Sequence, residues 1–316
     1  MIRRWIAALM VLCMIPVRAN ADTLKWVDFD IPFDSLKYAM DVDIKTAEKE
    51  QHISWIDILA VAACRAGGKC PPDAVRTAVD QLLSGASPED ILGQAGKYYS
   101  YYHTAYSAIL GGFLGSYAIE IGEELKPTYG LKAFSPIASG YSYCHSDDFG
   151  ARRSFGFDRK HLGNDLMGDL GTPIVAVEGG VIEAMGWNRY GGWRIGIRSA
   201  DSRRYYYYAH LQKDHPFAGD LQIGDMVQPG QLIGFMGRTG YSDRENVNNI
   251  SDVHLHFGMQ IIFDESQKEC DSEIWIDVYD IVRLLSAHRS TYQKVDGQWH
   301  RKYPFVDLDV SDDFWK

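Results

Sequence analysis

The spacing of apolar side chains divides the chain into two parts with different periodicity. From residue 34 to about residue 119, apolar positions recur with the period of a helix. Ser54 and Ser87 stand where helices typically start, and the tyrosine-rich segment Lys97–Ala118 is predicted to form the last helix. The pattern fades over residues 120–157, where glycine, proline, serine and aspartate suit a connector.

Beyond residue 161 the apolar periodicity becomes two, and glycines separate short segments, as expected for strands. Residues 193–199 and 204–211 are predicted to form a hairpin, and residues 277–286 a closing helix. The fold class is therefore predicted to be α+β, with a helical N-terminal domain followed by a compact antiparallel β domain. The predicted boundaries are a leader (1–21), a helical domain (22–120), a connector (121–157), a β domain with the closing helix (158–290) and a tail (291–316).

One predicted strand, Ser251–Gly258, carries two histidines two residues apart. Because alternate residues of a strand face the same side, His254 and His256 are expected to point into one cavity. Elsewhere His161 and Asp165 lie four residues apart, and the glycine and asparagine between them favour a strand end or loop over a helix.

These side chains can be combined into one reactive centre. His161, Asp165 and His256 supply two imidazoles and a carboxylate, a donor set that catalytic zinc accepts while leaving a position for water. His254 then remains on the same strand face to transfer a proton, and His210 is the second candidate for that role. The pair His254 and His256 alone could equally be half-buried strand residues, and the pair His161 and Asp165 alone is a weaker signal still, so the prediction depends on their ordered combination.

The ordered motifs resemble the LytM/lysostaphin-type zinc metallopeptidases, which cleave peptide bonds in bacterial peptidoglycan. The resemblance runs from about Phe149 to Gln260 and is carried by five segments: FGAR at 149–152, HLGNDLMG at 161–168, GTPIVAVEGGVIEAMGW at 171–187, YAHL at 208–211 and HLHFG at 254–258. It implies a lysostaphin-type antiparallel β fold, zinc bound by His161, Asp165 and His256, and catalysis by His210 and His254. The segment Tyr241–Val253 is longer than the family pattern, which affects the groove wall and its specificity.

The resemblance implies a secreted zinc endopeptidase that hydrolyses peptidoglycan stem peptides or cross-links. One alternative is a catalytically silent wall-binding or scaffold protein of a division or sporulation complex. Another is a zinc-dependent amidase or carboxypeptidase acting on the same substrate. The helical N-terminal region lies outside the motifs and could bind cell-envelope protein partners.

The composition and the first residues of the chain indicate where the protein is expected to act. The chain has 316 residues, of which 46% are hydrophobic, and is long enough for two domains. Its net charge of -10 argues against nucleic-acid binding by phosphate neutralisation. Met1–Arg4, the apolar segment Trp5–Val17 and the small residues at 19–21 follow the pattern of a cleaved signal peptide, with an uncleaved membrane anchor as the alternative. Export to the extracellular space or cell wall is therefore expected.

The cysteines are also considered in terms of the expected export. Cleavage after residue 21 would leave Cys64, Cys70, Cys144 and Cys270, and an exported chain can form two disulfides from them. If oxidised, Cys64 is expected to pair with Cys70 and Cys144 with Cys270, and free thiols are the alternative. No Cys-X-X-Cys motif occurs, so a cysteine zinc site is not predicted.

Overall fold

The computed structural model describes residues 24–122, 124–156, 158–268, 272–311 and residue 314. The predicted signal peptide and Cys270 lie outside these residues. Among the described helices, none has the length and apolar character needed to span a membrane.

Helices occupy the first part of the described chain, as the periodicity predicted. The α-helices are α1 (Phe33–Thr46), α2 (Trp55–Arg65), α3 (Pro72–Leu83), α4 (Pro88–Leu92), α5 (Tyr99–Leu110) and α6 (Tyr279–Leu285). The hydroxyl oxygen of Ser54 accepts a hydrogen bond from the backbone N–H of Ile56, which caps α2. Ser87 and Asp90 form a capping box at the start of α4.

Strands make up most of the remaining described chain. They are β1 (Leu114–Ile121), β2 (Glu124–Leu131), β3 (Tyr143–Cys144), β4 (Arg152–Arg153), β5 (Arg159–Lys160), β6 (Asn164–Gly168), β7 (Pro173–Val175), β8 (Gly180–Asn188), β9 (Gly192–Ser199), β10 (Arg204–Ala209), β11 (Met226–Val227), β12 (Leu232–Phe235), β13 (His254–Ile261), β14 (Ile274–Ile276), β15 (Tyr292–Val295), β16 (Gln298–Arg301) and β17 (Phe305–Asp307). The predicted hairpin and closing helix are present as β9–β10 and α6.

The central sheet is antiparallel and has the strand order β11-β8-β9-β10-β13-β6-β3, with β14 also paired to β13. Side chains of β13 alternate between the two faces of this sheet. Leu255 and Phe257 are buried in the core, whereas His254 and His256 lie on the opposite face. The fold class predicted from the sequence, a helical region followed by an antiparallel β domain, is confirmed.

The last predicted helix differs from the structure. It was expected to continue to Ala118, but α5 ends at Leu110 and residues 114–121 form β1, which pairs with β2 and β17. Residues 114–121 form a strand because they pair with β2 and β17, and Gly112, in the turn between α5 and β1, packs so closely that a Cβ there would collide with the Glu178 carboxylate. The segment predicted as connector therefore contains β2, and the segment predicted as tail contributes β17.

The cysteines in the described residues are free thiols. The predicted bond between Cys64 and Cys70 is therefore not formed, and both groups lie in or beside the core of the helical region. Burial raises the pKa of Cys64 to about 11 and that of Cys70 to about 12, so both remain protonated at neutral pH. The predicted pairing of Cys144 involves Cys270, which lies outside the described residues.

A buried ion pair joins the helical region to the sheet. Arg204 on β10 donates from Nε and Nη2 to the Glu178 carboxylate at 2.7 and 3.0 Å. Its Nη1 donates to the carbonyl oxygen of Ala108 in α5 at 2.7 Å. The hydroxyl of Tyr206 donates a further hydrogen bond to Glu178 at 2.6 Å. Both charges are satisfied, and the end of α5 is fixed against the sheet.

Replacing Glu178 by Ala should destabilise the protein strongly, because Arg204 is only 1% exposed and would keep only the half-exposed Asp201 carboxylate as an anionic partner. Removing one partner of such a pair costs about 3–5 kcal/mol of unfolding free energy. The exposed Lys37–Asp41 pair provides the control, since Asp41→Ala should cost less than about 1 kcal/mol. Urea denaturation measures both, and equal losses for the two variants would contradict this interpretation.

Candidate metal centre

Three side chains predicted as metal ligands meet in the structure. His161 Nε2 lies 2.9 Å from Asp165 Oδ1 and 2.8 Å from His256 Nδ1. The third side of this triangle, from His256 Nδ1 to Asp165 Oδ1, measures 3.1 Å. These donor atoms form a group that could hold a metal ion.

Strand register brings two of the three together. β6 and β13 are antiparallel neighbours, and Asp165 lies directly opposite His256. His161 precedes β6 and reaches the same point from the loop, as the strand-end placement predicted. The loop passes so close to β13 that a Cβ at Gly163 would collide with the His256 ring and with the Phe257 carbonyl oxygen. Glycine is therefore required at position 163 for this approach.

The triangle is held by residues that the sequence reasoning missed. His161 Nδ1 donates to the carbonyl oxygen of Asp148 at 3.0 Å and lies 3.1 Å from the Asp148 carboxylate. Arg153 Nη2 donates to Asp148 at 3.0 Å and to the outer oxygen of Asp165 at 2.9 Å. Asn164 donates to the other oxygen of Asp148 at 3.0 Å. This network orients the ring of His161 and the carboxylate of Asp165.

The donor set fits zinc. The hydrogen on His161 Nδ1 points to Asp148, so Nε2 presents its lone pair to the other two donor atoms. The ligand atoms of a tetrahedral zinc ion lie roughly 3.3 Å apart, close to the spacing found here. Two imidazoles and one carboxylate leave a fourth position open for water or substrate.

Electrostatics keep the ligands in the forms that bind a cation. Burial alone would raise the pKa of Asp165, but the adjacent His161 and His256 rings hold it well below its usual range. Burial, helped by the nearby His161 and His254 rings, lowers the pKa of His256 despite the opposing effect of the Asp165 carboxylate. At neutral pH the carboxylate is therefore ionised and the His256 imidazole is neutral.

The two histidines predicted to be catalytic lie beside this triangle. His254 Nδ1 donates to the carbonyl oxygen of Asp252 at 3.0 Å, and its Nε2 lies 3.8 Å from Asp165 Oδ1. His210 Nδ1 donates to the carbonyl oxygen of Thr239 at 2.9 Å. The rings of His210 and His254 are 4.7 Å apart. In the neutral forms, both Nε2 atoms carry lone pairs.

His210 has an unusual backbone conformation. It directly follows β10 and has a φ of 62°, in the left-handed region that few residues other than glycine adopt. The Thr239 hydrogen bond holds the ring in this position. Burial and the nearby rings of His254 and His256 lower the pKa of His210 well below its usual range, so the imidazole is neutral at pH 7.

A cavity of about 390 Å³ opens beside the triangle and is lined by His161, Asp165, His210 and His256. Tyr241, from the long segment noted in the sequence, forms part of its wall. The Tyr241 ring stacks on Phe155 at 5.0 Å and lies 5.9 Å from the His210 ring. The predicted alternation of the β10 tyrosines is also present, because Tyr207 lines the cavity while its neighbour Tyr208 is buried in the core.

Comparison with known proteins identifies similar chains. The sequence profile of peptidase family M23 matches residues 159–271, a range that contains His161, Asp165, His210, His254 and His256. An L-Ala–D-Glu endopeptidase of Bacillus subtilis is 35% identical over 191 residues, which cover 59% of this chain and 54% of that protein. Lysostaphin of Staphylococcus staphylolyticus is 38% identical over 98 residues, which cover 31% of this chain and 18% of the relative. The chain thus spans about half the length of the first relative and less of the second.

A solved structure shares the fold. It is a Ruminococcus gnavus protein described as a glycyl-glycine endopeptidase LytM. The TM-score is 0.52 at 21% sequence identity, and the alignment covers 87% of this chain and 94% of that chain. The likeness therefore includes the helical region as well as the β domain.

Replacing His161, Asp165 or His256 by Ala should each abolish zinc binding, because two remaining ligands leave the ion under-coordinated. The unaltered protein is expected to hold about one zinc ion per chain. His254→Ala and His210→Ala are the controls and should retain the metal. Zinc content by atomic absorption tests all five variants, and full occupancy in any of the first three would remove that residue from the ligand set.

Acidification should release the metal. Because the pKa of His256 in the folded protein is below its unfolded value of about 6.5, the ring stays neutral at pH 7 and binds a proton only at lower pH. The unfolded chain binds protons first, so zinc retention and unfolding free energy should fall together as pH drops below about 6.5 toward 5. Zinc content after dialysis across this range measures the effect, and the exposed His300→Gln variant should give the same profile. Undiminished zinc at pH 5 would contradict a histidine-containing site.

Proposed function

Residues 159–271 make this chain a member of the LytM/lysostaphin-type peptidoglycan endopeptidase family, peptidase family M23, and we propose that it is an exported zinc-dependent endopeptidase. The observation that carries this proposal is the convergence of His161, Asp165 and His256 beside His210 in one cavity, with His254 next to Asp165. Its substrate is the stem peptide or the cross-link of peptidoglycan.

His161, Asp165 and His256 would hold the zinc ion with the three donor atoms that face one another. A bound zinc ion polarises a carbonyl oxygen and lowers the pKa of water toward neutrality. Arg153 and Asp148 keep the ligand side chains in place, since they hold the outer oxygen of Asp165 and the Nδ1 hydrogen of His161.

His254 and His210 supply proton transfer and stabilisation of the developing charge. Each ring donates through Nδ1 to a backbone carbonyl oxygen, so its orientation and tautomer are fixed and Nε2 can accept a proton. One imidazole removes the proton from the attacking water and returns it to the leaving amine. The other, with a proton on its Nε2, donates to the scissile carbonyl oxygen on which charge develops. The low pKa of His210 favours its neutral, proton-accepting form at pH 7.

A catalytically silent wall-binding protein is the competing function. Such a protein could keep the fold and lose a member of the reactive set, but all five of the proposed side chains are present and face one cavity or its edge. A positioned base in a cavity large enough for a peptide favours catalysis over simple binding.

Digestion of purified peptidoglycan by the full-length protein should release soluble muropeptides, and removing zinc with a chelator should stop the release. Mass spectrometry of the products distinguishes an endopeptidase from an amidase or a carboxypeptidase, since each cuts a different bond. A zinc-loaded, folded protein that binds the wall without releasing any product would refute catalysis and support the scaffold alternative.

The same assay separates binding residues from catalytic ones. His254→Ala and His210→Ala should reduce turnover by roughly a hundredfold to ten-thousandfold, the range for a lost general acid or base. Zinc content and melting temperature should change little, because neither residue is a proposed ligand. If a variant loses stability but keeps its activity per folded molecule, that histidine has only a packing role.

A further inference from the structure

The cavity at the metal centre has a charge opposite to that of the whole chain. Its lining includes five cationic side chains, namely Arg153, Arg159, Lys160, Arg194 and Lys268, and two carboxylates, Asp165 and Glu273. The chain as a whole carries a formal charge of -10. Because the cavity concentrates positive charge on an acidic protein, it is suited to an anionic ligand.

Most of these cations have partners within the protein. Arg153 bridges Asp148 and Asp165, and Lys268 contacts the Glu183 carboxylate at 2.5 Å. Arg159 donates to the carbonyl oxygen of Phe155 and lies over the ring of Tyr190. Their charges are therefore at least partly compensated.

Arg194 is different. Its Nε is buried and has no hydrogen-bond partner in the described part of the chain. A buried donor without an acceptor is destabilising unless a ligand satisfies it. Arginine presents its N–H groups as a planar fork that matches both oxygens of a carboxylate. The side chain as a whole is half-buried and lines the cavity, so a ligand there can contact the guanidinium group.

Strand order sets the distance between Arg194 and the metal centre. Arg194 is on β9, next to Ile195, which pairs with Tyr208 of β10. The following β10 residue, Ala209, pairs with His256 of β13. Neighbouring strands lie about 4.8 Å apart, so the backbone at Arg194 is roughly 10 Å from that at His256. The small side chain of Ala209 leaves the space between them open.

We propose that Arg194 binds a free carboxylate of the substrate peptide. The substrate class is then an acidic stem peptide rather than a neutral glycine bridge. An extended peptide spans about 3.3–3.6 Å per residue. A carboxylate held by Arg194 therefore belongs to a residue within roughly three positions of the bond at the metal centre. This inference rests on the proposed function and specifies the substrate of the same site.

The test uses two synthetic stem peptides that are identical except that all carboxylates are free in one and amidated in the other. Calorimetry measures their binding to the full-length protein, with a chelator present to prevent turnover. The unaltered protein should bind the free-acid peptide about tenfold to a hundredfold more tightly, the range expected for hydrogen bonds to a charged group. Arg194→Gln should bind both peptides with the affinity of the amidated one.

Two further variants make the test specific. Arg194→Lys keeps the charge but loses the fork, so it should retain part of the preference. Lys160→Gln removes a cation from the exposed end of the same cavity, and it should keep nearly the full preference because its charge is screened by solvent. Melting temperatures verify that each variant is folded.

Three results would overturn the proposal: equal affinity of the unaltered protein for the two peptides, no binding of either peptide, or an undiminished preference in Arg194→Gln. The first two results concern the unaltered protein alone, so they can overturn the proposal even if Arg194→Gln fails to fold. Digestion of whole peptidoglycan by the same protein is measured in parallel. Product release without a carboxylate preference would leave the enzyme assignment intact and remove only the role of Arg194. A carboxylate preference without product release would leave the role of Arg194 in binding intact and remove the enzyme assignment.

Discussion

The antiparallel pairing of β6 with β13 places Asp165 directly opposite His256. Without this register a carboxylate and an imidazole that are 91 residues apart in the chain would not lie 3.1 Å from one another. A shift of one residue would turn His256 toward the core and bring Leu255 to the cavity face. Every other feature of the proposed centre, including the approach of His161 and the position of His254, depends on this pairing.

The helical region supports this sheet from behind. Buried side chains of helices and strands form one continuous core, and the Arg204–Glu178 pair ties α5 to β10 within it. β10 in turn pairs with β13 and ends at His210. Fixing β10 from the core side therefore restricts the position of His210 on the cavity side. The helical region thus contributes to the geometry of the centre without contributing a residue to it.

Much of this arrangement could be predicted from the sequence because it follows from local rules. The period of two in a strand is enough to place His254 and His256 on one face. Asp148, Arg153 and Arg194 could not be predicted in this way, because their roles depend on contacts between segments with no common spacing. The strand β1 was missed for a related reason. Its identity as a strand depends on pairing with β2 and β17, which its own sequence does not reveal.

Backbone hydrogen bonds orient the rings of the histidines at and beside the cavity. His161, His210 and His254 each donate through Nδ1 to a backbone carbonyl oxygen, which leaves Nε2 facing inward. His256 instead faces Asp165 and His161 through Nδ1. Residues two apart on a strand are separated by about 6.5–7 Å. His256 therefore reaches the ligand triangle, whereas His254, on the same face of the strand, lies beside it. The place of each residue on its strand or loop therefore determines whether its imidazole meets the ligand triangle or stands beside it. Backbone hydrogen bonds fix which ring nitrogen of His161, His210 and His254 faces inward.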